Sequence, residues 1–362
     1  MQQHGNLITR RSSLGNGLGA AVSLLATGSL PSGVLAQTPD KAIQQAAAKE
    51  GALTLLLQTN VSAETIGTII KKFNAHYPAI HVGFTIQNTV QVMNRFTAEV
   101  SAKRGISDCV VLPSVLTETE NYVAAGALAH YVSSQDPDFP NEAKRSGFWY
   151  AWTRECAVTV YRQGSLSDEE KKLLRTYKGL GDPRFKNRLG INGITNSVAA
   201  TAAYVLLNQP DTSLWRGLVA NAPRVKTSTP ALINGLLSGE YDVGLFAAWG
   251  STTTPARAGA PIEFGNTALT PVLYVPGGIS ALAPHPNAAR LWQDWILSRE
   301  GQDLWATVVG SNSARQDVVK PWARQQPWFF ESPGTHKPID WADFSRKEKQ
   351  VVAKFKKDFQ TG

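Results

Sequence analysis

Short apolar runs alternating with helical stripes constrain this chain more than any other feature of it. Leu53-Thr54-Leu55-Leu56-Leu57 is too short for a helix and too apolar for a strand wet on one face, so it reads as a buried strand. Ser62 can cap the helix that follows, with Glu64 in its first turn. Ile66, Ile69, Ile70 and Phe73 recur at i, i+3, i+4 and i+7, and Tyr77-Pro78 ends the stripe. His81 to Ile86 alternates as a second strand. Met93, Phe96 and Val100 mark a second helix closed by Gly105, and Cys109 to Leu112 is a third strand before a helix through Tyr122 to Ala125. Strand, helix, strand, helix, strand is the pattern of a parallel sheet covered on both faces.

A second run of the same kind begins at Leu189 to Gly193. Thr195-Asn196-Ser197 caps an Ala-rich helix reaching Leu207, and Thr229-Pro230 opens another that stops at Gly239. Asp242 to Ala247 is again a buried strand. Between the runs lies a long extended stretch, Trp149 to Tyr161, and a comparable one, Pro271 to Leu282, follows the second run. After it, Ala288, Leu291, Trp292 and Trp295 form an amphipathic helix behind Pro286. The chain has 362 residues, too many for one core. The economical reading is α/β: two doubly wound α/β lobes joined by a two-strand hinge. Residues 37–150 and 272–310 form the first lobe, and residues 151–271 and 311–362 form the second with a C-terminal tail.

Residues 1–36 read as an export signal. Arg10 and Arg11 stand before a weakly apolar run rich in Gly, Ala and Ser, and Val34-Leu35-Ala36 offers small residues for cleavage near Ala36. The adjacent arginines fit the twin-arginine route, with an ordinary secretory signal as the plainer reading. The whole chain carries +8, and removing the two arginines of that segment leaves +6. That is too mild and too evenly spread for a nucleic-acid footprint. Lys347, Lys349, Lys354, Lys356 and Lys357 read as one solvated helix face. Cys109 and Cys156 both lie in apolar strand-like runs; in an oxidising compartment they can pair, or each can pack as a small hydrophobe.

Several segments resemble extracellular solute-binding proteins: AAKEGALTLLL from Ala47, FNAHYPAIHV from Phe73, Asp108 to Leu112, GALAHY from Gly126, GEYDVG from Gly239 and PNAARLWQDWILSREGQ from Pro286. In order and spacing they are most similar to the ferric-iron and organophosphate branch of the type II periplasmic binding proteins of ABC importers. The resemblance implies a ligand cleft between lobes, built from loops at strand C-termini and from helix starts. Carried over, it points to Thr59 and Asn60, to Ser114, to Thr195, Asn196 and Ser197, to Trp249, Ser251 and Thr252 in a loop after Ala247, and to Tyr274 on the returning crossing. It also implies a periplasmic monomer that captures a small molecule, needs no cofactor, and hands its cargo to an inner-membrane ABC permease.

One position departs from that branch. Its ferric-iron binders place two adjacent tyrosines where this chain reads Ala247-Ala248-Trp249-Gly250-Ser251, and a Trp indole supplies no ligand to a hard ferric ion. Helix starts and hydroxyls instead favour a small organic anion, a phosphate ester, phosphonate or carboxylate, with Trp249 and Tyr274 packing its body. Ferric ion bound without the tyrosine pair is the alternative within the family. A secreted enzyme is the rival from another class. His4, His76, His81, His130, His285 and His336 show no metal spacing, and no G-x-S-x-G, phosphate-loop or dinucleotide glycine motif is present, so the reading is not an enzyme.

Overall fold

A short run that must bury both faces is satisfied only inside a covered parallel sheet, and the Leu53 run lies in one. The computed structural model describes residues 40–58, 62–194, 197–265, 267–315, 317–318, 336–337 and 339–359. The export-signal segment lies outside them. Strand β1 (Ala52–Gln58) sits between β2 (His81–Gln87) and β3 (Cys109–Val111), parallel to both, with Leu55 opposite Phe84 on one side and Cys109 on the other. Helices α1 (Lys41–Glu50), α2 (Ala63–His76), α3 (Thr89–Ser101) and α4 (Leu116–Ala124) accompany these strands. Ser62 caps α2 by accepting from the Thr65 amide, and Ile66, Ile69 and Phe73 are its buried stripe. Helix α3 ends at Ser101, earlier than the Gly105 stop. Gly105 answers a different demand: a Cβ there would stand 1.7 Å from the Leu282 carbonyl oxygen.

The chain then leaves the first lobe through β4 (Lys144–Arg145) and β5 (Trp149–Arg162). The second lobe follows with α5 (Asp168–Leu173), α6 (Tyr177–Leu180), β6 (Leu189–Asn192), α7 (Ser197–Leu207), α8 (Ser213–Ala220), β7 (Arg224–Lys226), α9 (Thr229–Leu237), β8 (Val243–Ala248), α10 (Trp249–Arg257) and β9 (Ile262–Gly265). Strand β10 (Thr270–Ile279) returns to the first lobe, where α11 (Pro286–Leu297) and α12 (Arg299–Val309) pack. Strand β11 (His336–Lys337) and α13 (Trp341–Phe359) complete the described chain. The sheet runs β2-β1-β3-β10-β5-β8-β6-β7, with β4 and β9 on β5 and β11 on β10. Strands β5 and β10 pair antiparallel from Trp149/Gly278 to Cys156/Val272. One end of β10 pairs with β3, and the far half of β5 pairs with β8 and β9. The two lobes thus share two strands.

Each lobe has its own core. In the first, the Trp152 ring lies 5.7 Å from Trp305 and 6.2 Å from Trp292, edge-on or tilted as ring quadrupoles prefer. Gly277 makes room for it, because a Cβ there would fall 2.2 Å from the indole. In the second, α7 is buried from Val198 to Leu206, and a helix apolar all round needs cover on both sides. The sheet covers one side, and Phe344, Val351 and Phe355 of α13 supply the other, leaving most of that helix's lysines exposed. Ser228, not Thr229, caps α9, by accepting from the Ala231 amide. Cys109 and Cys156 are buried free thiols, both pushed up by burial. Among the described residues no helix is long and apolar enough to cross a membrane.

Trp152→Ala is expected to cost about 3–5 kcal/mol, and Gly277→Val to destabilise through overpacking, by about 1–3 kcal/mol. Lys349→Ala on the exposed face of α13 should stay within about 0.5 kcal/mol. Urea unfolding midpoints of the three variants check the ranking.

Candidate functional site

Parallel strands end where their helices begin, so the carboxyl ends of β1, β3, β6 and β8 are the places where loops and helix starts can meet a ligand. In the first lobe, the Gln58 amide fixes two of these ends together. Its Nε2 donates to the Val111 and Leu112 carbonyls at 3.3 and 2.9 Å, and its Oε1 accepts from the Thr89 hydroxyl at 3.0 Å. Ser114 follows, half-buried, before α4, whose first turn has no side-chain cap. In the second lobe, Asn192 Nδ2 donates to Thr229 Oγ1 at 3.0 Å and to the Phe246 carbonyl at 3.2 Å, and the Ala248 amide donates to the same Thr229 oxygen. This explains why Thr229 does not cap its helix. Asn192 Oδ1 is buried with no hydrogen-bond partner among the described residues. Phe246 adopts φ 61, a left-handed conformation costly for an aromatic residue, and it turns the end of β8 toward α10.

The segment after Ala247 is a helix, not a loop. Thr252 is fully buried and donates its hydroxyl back to the Ala248 carbonyl at 2.8 Å, so that group is used by the helix itself. Trp249 is 1% exposed and lies 5.5 Å from the Phe264 ring, in the core beneath the strand end. Gly250 and Ser251 face Ser62 and Thr65 of α2 across a cavity of about 520 Å³. The first lobe supplies one wall and the second the other. The Gly250 amide is already engaged: both oxygens of Glu155, on β5, accept from it at 3.2 and 3.3 Å. A Cβ at position 250 would meet Glu155 Oε1 at 3.2 Å, so the residue's smallness admits the carboxylate.

Arg154, the neighbour of Glu155, belongs to a second cavity, of about 410 Å³. Arg154 pairs in register with Tyr274 of β10, and both side chains line this space. Leu116 and Trp149 of the first lobe and Trp341 of α13 are among its apolar walls, and Lys144 and Glu142 reach it as well. The Lys144 ammonium is held by Asp136 at 2.7 Å. Burial lowers the Arg154 pKa although Tyr274 and Glu142 pull it up. Burial likewise raises the Tyr274 phenol, with Arg154 opposing.

The bacterial extracellular solute-binding protein family matches residues 59–308. This chain belongs to that family. Part of the chain is 32% identical, over 104 residues, to the iron uptake protein A1 of Synechocystis, a stretch that spans 27% of this chain and 28% of that protein. The fold is similar to that of a Trichodesmium IdiA (FutA) protein in complex with iron and citrate ligands, with TM-score 0.66 and 16% identity over 85% of this chain and 99% of that one. It is also similar to the substrate-binding protein of an ABC transporter from Agrobacterium tumefaciens, with TM-score 0.68 and 17% identity over 85% and 96% of the two chains. Iron-bound HitA from Pseudomonas aeruginosa gives TM-score 0.62 and 19% identity over 83% and 99%. The two-lobed α/β fold is the fold of these binding proteins.

Of the family-derived positions, Thr59, Asn60, Thr195 and Asn196 lie outside the described residues. Ser197 opens α7, half-buried; Ser251 lines the larger cavity and Tyr274 the smaller. Trp249 and Thr252 are turned inward. The residues that reading by family pattern passed over are Arg154 and Glu155. Their signal lay in the sequence, where Arg154-Glu155 interrupts the apolar run of β5 between Trp149-Tyr150-Ala151-Trp152 and Cys156-Ala157-Val158. Charges in the middle of a buried strand are costly, and a strand that keeps them has a use for them.

Burial pushes the Glu155 carboxyl up to about 7 from 4.5, and the Gly250 amide only partly restores its charged form. The folded protein therefore holds this proton more tightly than the unfolded chain, so stability falls as pH rises from about 4.5 to about 7. Glu155→Gln should remove that slope and leave the variant more stable than wild type at pH 8, by on the order of 1–2 kcal/mol after solvent screening. Thermal midpoints across pH 4–8 measure it; parallel profiles for the two proteins would refute it.

Proposed function

We propose that the protein is the solute-binding component of an ABC importer and captures a small organic anion between its lobes. The observation that carries this reading is the pair of cavities beside the crossing strands, one walled by both lobes and the other holding the half-buried Arg154 guanidinium among aromatic walls. An exported binding protein of this kind works as a periplasmic monomer, cleaved near Ala36, and delivers its cargo to an inner-membrane permease. The lobes divide near residues 150 and 272, where the crossing strands begin, with the C-terminal part assigned to the second lobe. Two strands bend at few residues, so closure on ligand is a hinge motion. Binding and release without turnover make it a carrier and not an enzyme.

Ferric ion is the second reading, favoured by what the similar proteins bind. Against bare ferric ion stands the donor chemistry. The start of α10 carries no tyrosine, and burial makes the Tyr274 phenol harder to ionise. A ferric ion carried by an organic anion fits both readings, because the protein then grips the anion.

A thermal-shift panel separates the readings. Citrate, phenyl phosphate or a phosphonate at about a hundredfold excess over Kd should raise the midpoint by a few degrees. Stabilisation by ferric ion or spermidine, with silence from every organic anion, would overturn the anion reading. Asn196→Ala and Ser197→Ala should each weaken binding by ~1–3 kcal/mol without unfolding the protein.

A further inference from the structure

Helix α13 touches both lobes, and it holds them unequally. On the second lobe its grip is strong. Phe344, Val351 and Phe355 are buried in that core, with the Phe344 ring 5.4 Å from the ring of Tyr204 on α7 and the Phe355 ring 6.3 Å from that of Trp215 on α8. Three hydrogen bonds, each with one charged partner, tie the same helix down along its length. Tyr204 donates to Asp343 at 2.8 Å, Lys347 donates to Asn208 at 2.7 Å, and the Trp215 indole donates to Asp358 at 2.5 Å.

On the first lobe α13 packs against α4, and there its grip is weak. The hydroxyls of Thr117 and Ser345 are hydrogen-bonded, 2.5 Å apart, in an exposed position. A neutral bond open to water adds little, because water competes for both groups. Beside it the two helices carry like charges. Burial and Glu348 of α13 push the Glu118 carboxyl up, so the seam is repulsive when both groups are ionised. Such a seam parts before Phe344, Val351 and Phe355 leave the second core.

The residues of the seam adjoin those that wall the smaller cavity. Leu116, next to Thr117, lines that space from α4, and Trp149 lines it from β5, its indole held at 2.9 Å by Glu120 of α4. Ile339 and Trp341 line it from the other side, and the Trp341 ring stands nearly perpendicular to that of Phe344, 5.8 Å away. Parting α4 from the start of α13 therefore draws one wall of the cavity away from the other.

We propose that α13, which lies past the stretch matched by the family, is a strap anchored on the second lobe and latched to the start of α4, and that release of this latch lets the lobes part and opens the cavity. The latch governs access whatever solute the cavity admits. It also gives α13 a role beyond core packing, since the hinge strands alone then do not set how readily the lobes open.

Small-angle scattering and circular dichroism of the exported protein at low salt, with α13 intact, test it. Ser345→Glu sets a third carboxylate in the seam. This variant should show a larger radius of gyration than wild type and an unchanged helical signal, because α13 stays on the second lobe. Thr117→Cys combined with Ser345→Cys replaces the hydroxyl pair with thiols that oxidised glutathione should join, while Cys109 and Cys156 stay buried. The disulfide-linked form should be no larger than wild type. Phe355→Ala, by contrast, should lower the urea midpoint, since it empties part of the second core. An unchanged radius in Ser345→Glu overturns the latch. Loss of helical signal in that variant overturns it too, because the helix would then leave both lobes together. Failure of the folded double-cysteine variant to form its disulfide means that α13 does not rest on α4, and the strap falls with it.

Discussion

The antiparallel pairing of β5 with β10 is the constraint on which the rest of the molecule depends. Each strand must satisfy two environments along its length. Trp149 to Trp152 and Val275 to Ile279 complete the core of the first lobe, and Ala157 to Tyr161 and Leu273 complete that of the second. Between those apolar ends the pair crosses the gap between lobes, and there the sequence changes to Thr153-Arg154-Glu155 facing Tyr274 and Leu273. A ladder held by backbone hydrogen bonds does not need these polar side chains for its own stability. They are present where both lobes approach, and each has been given a partner environment by the fold.

The two charges are treated differently. Glu155 turns to the start of α10 and accepts from Gly250, so the corner that a helix start would offer to an anion is filled by the protein's own carboxylate. Arg154 turns to the aromatic cavity. The chain therefore distinguishes one side of its crossing strands from the other by charge, a carboxylate toward α10 and a guanidinium toward Trp149 and Trp341.

Much of this fold is legible in the sequence because its signals are local. The Leu53 run, the α2 stripe and the Ser62 cap are decided within one element each, and the structure carries them at the same residues. The long extended stretches around Trp152 and Tyr274 are legible as crossings for the same reason, since neither has helical periodicity. What was not legible depends on contacts distant in sequence. Gly105 looks like a helix stop and is a close approach to Leu282; Thr229 looks like a cap and is a bridge between β6 and β8. Helix α10 was hidden by Gly250, three threonines and Pro255, poor helix formers that hold because Thr252 and Thr253 bond carbonyls of Ala248 and Gly310 and Trp249 packs on Phe264. The site divides the same way. Tyr274 and Ser251 follow from family pattern, whereas Arg154 follows from asking why a buried strand carries charge.

The central claim is that an organic anion is held beside the crossing strands, and native mass spectrometry of protein freshly purified from the exported fraction tests it most directly. A population heavier than the mature polypeptide by one small organic anion is the expected result. A population carrying only a ferric ion would contradict it.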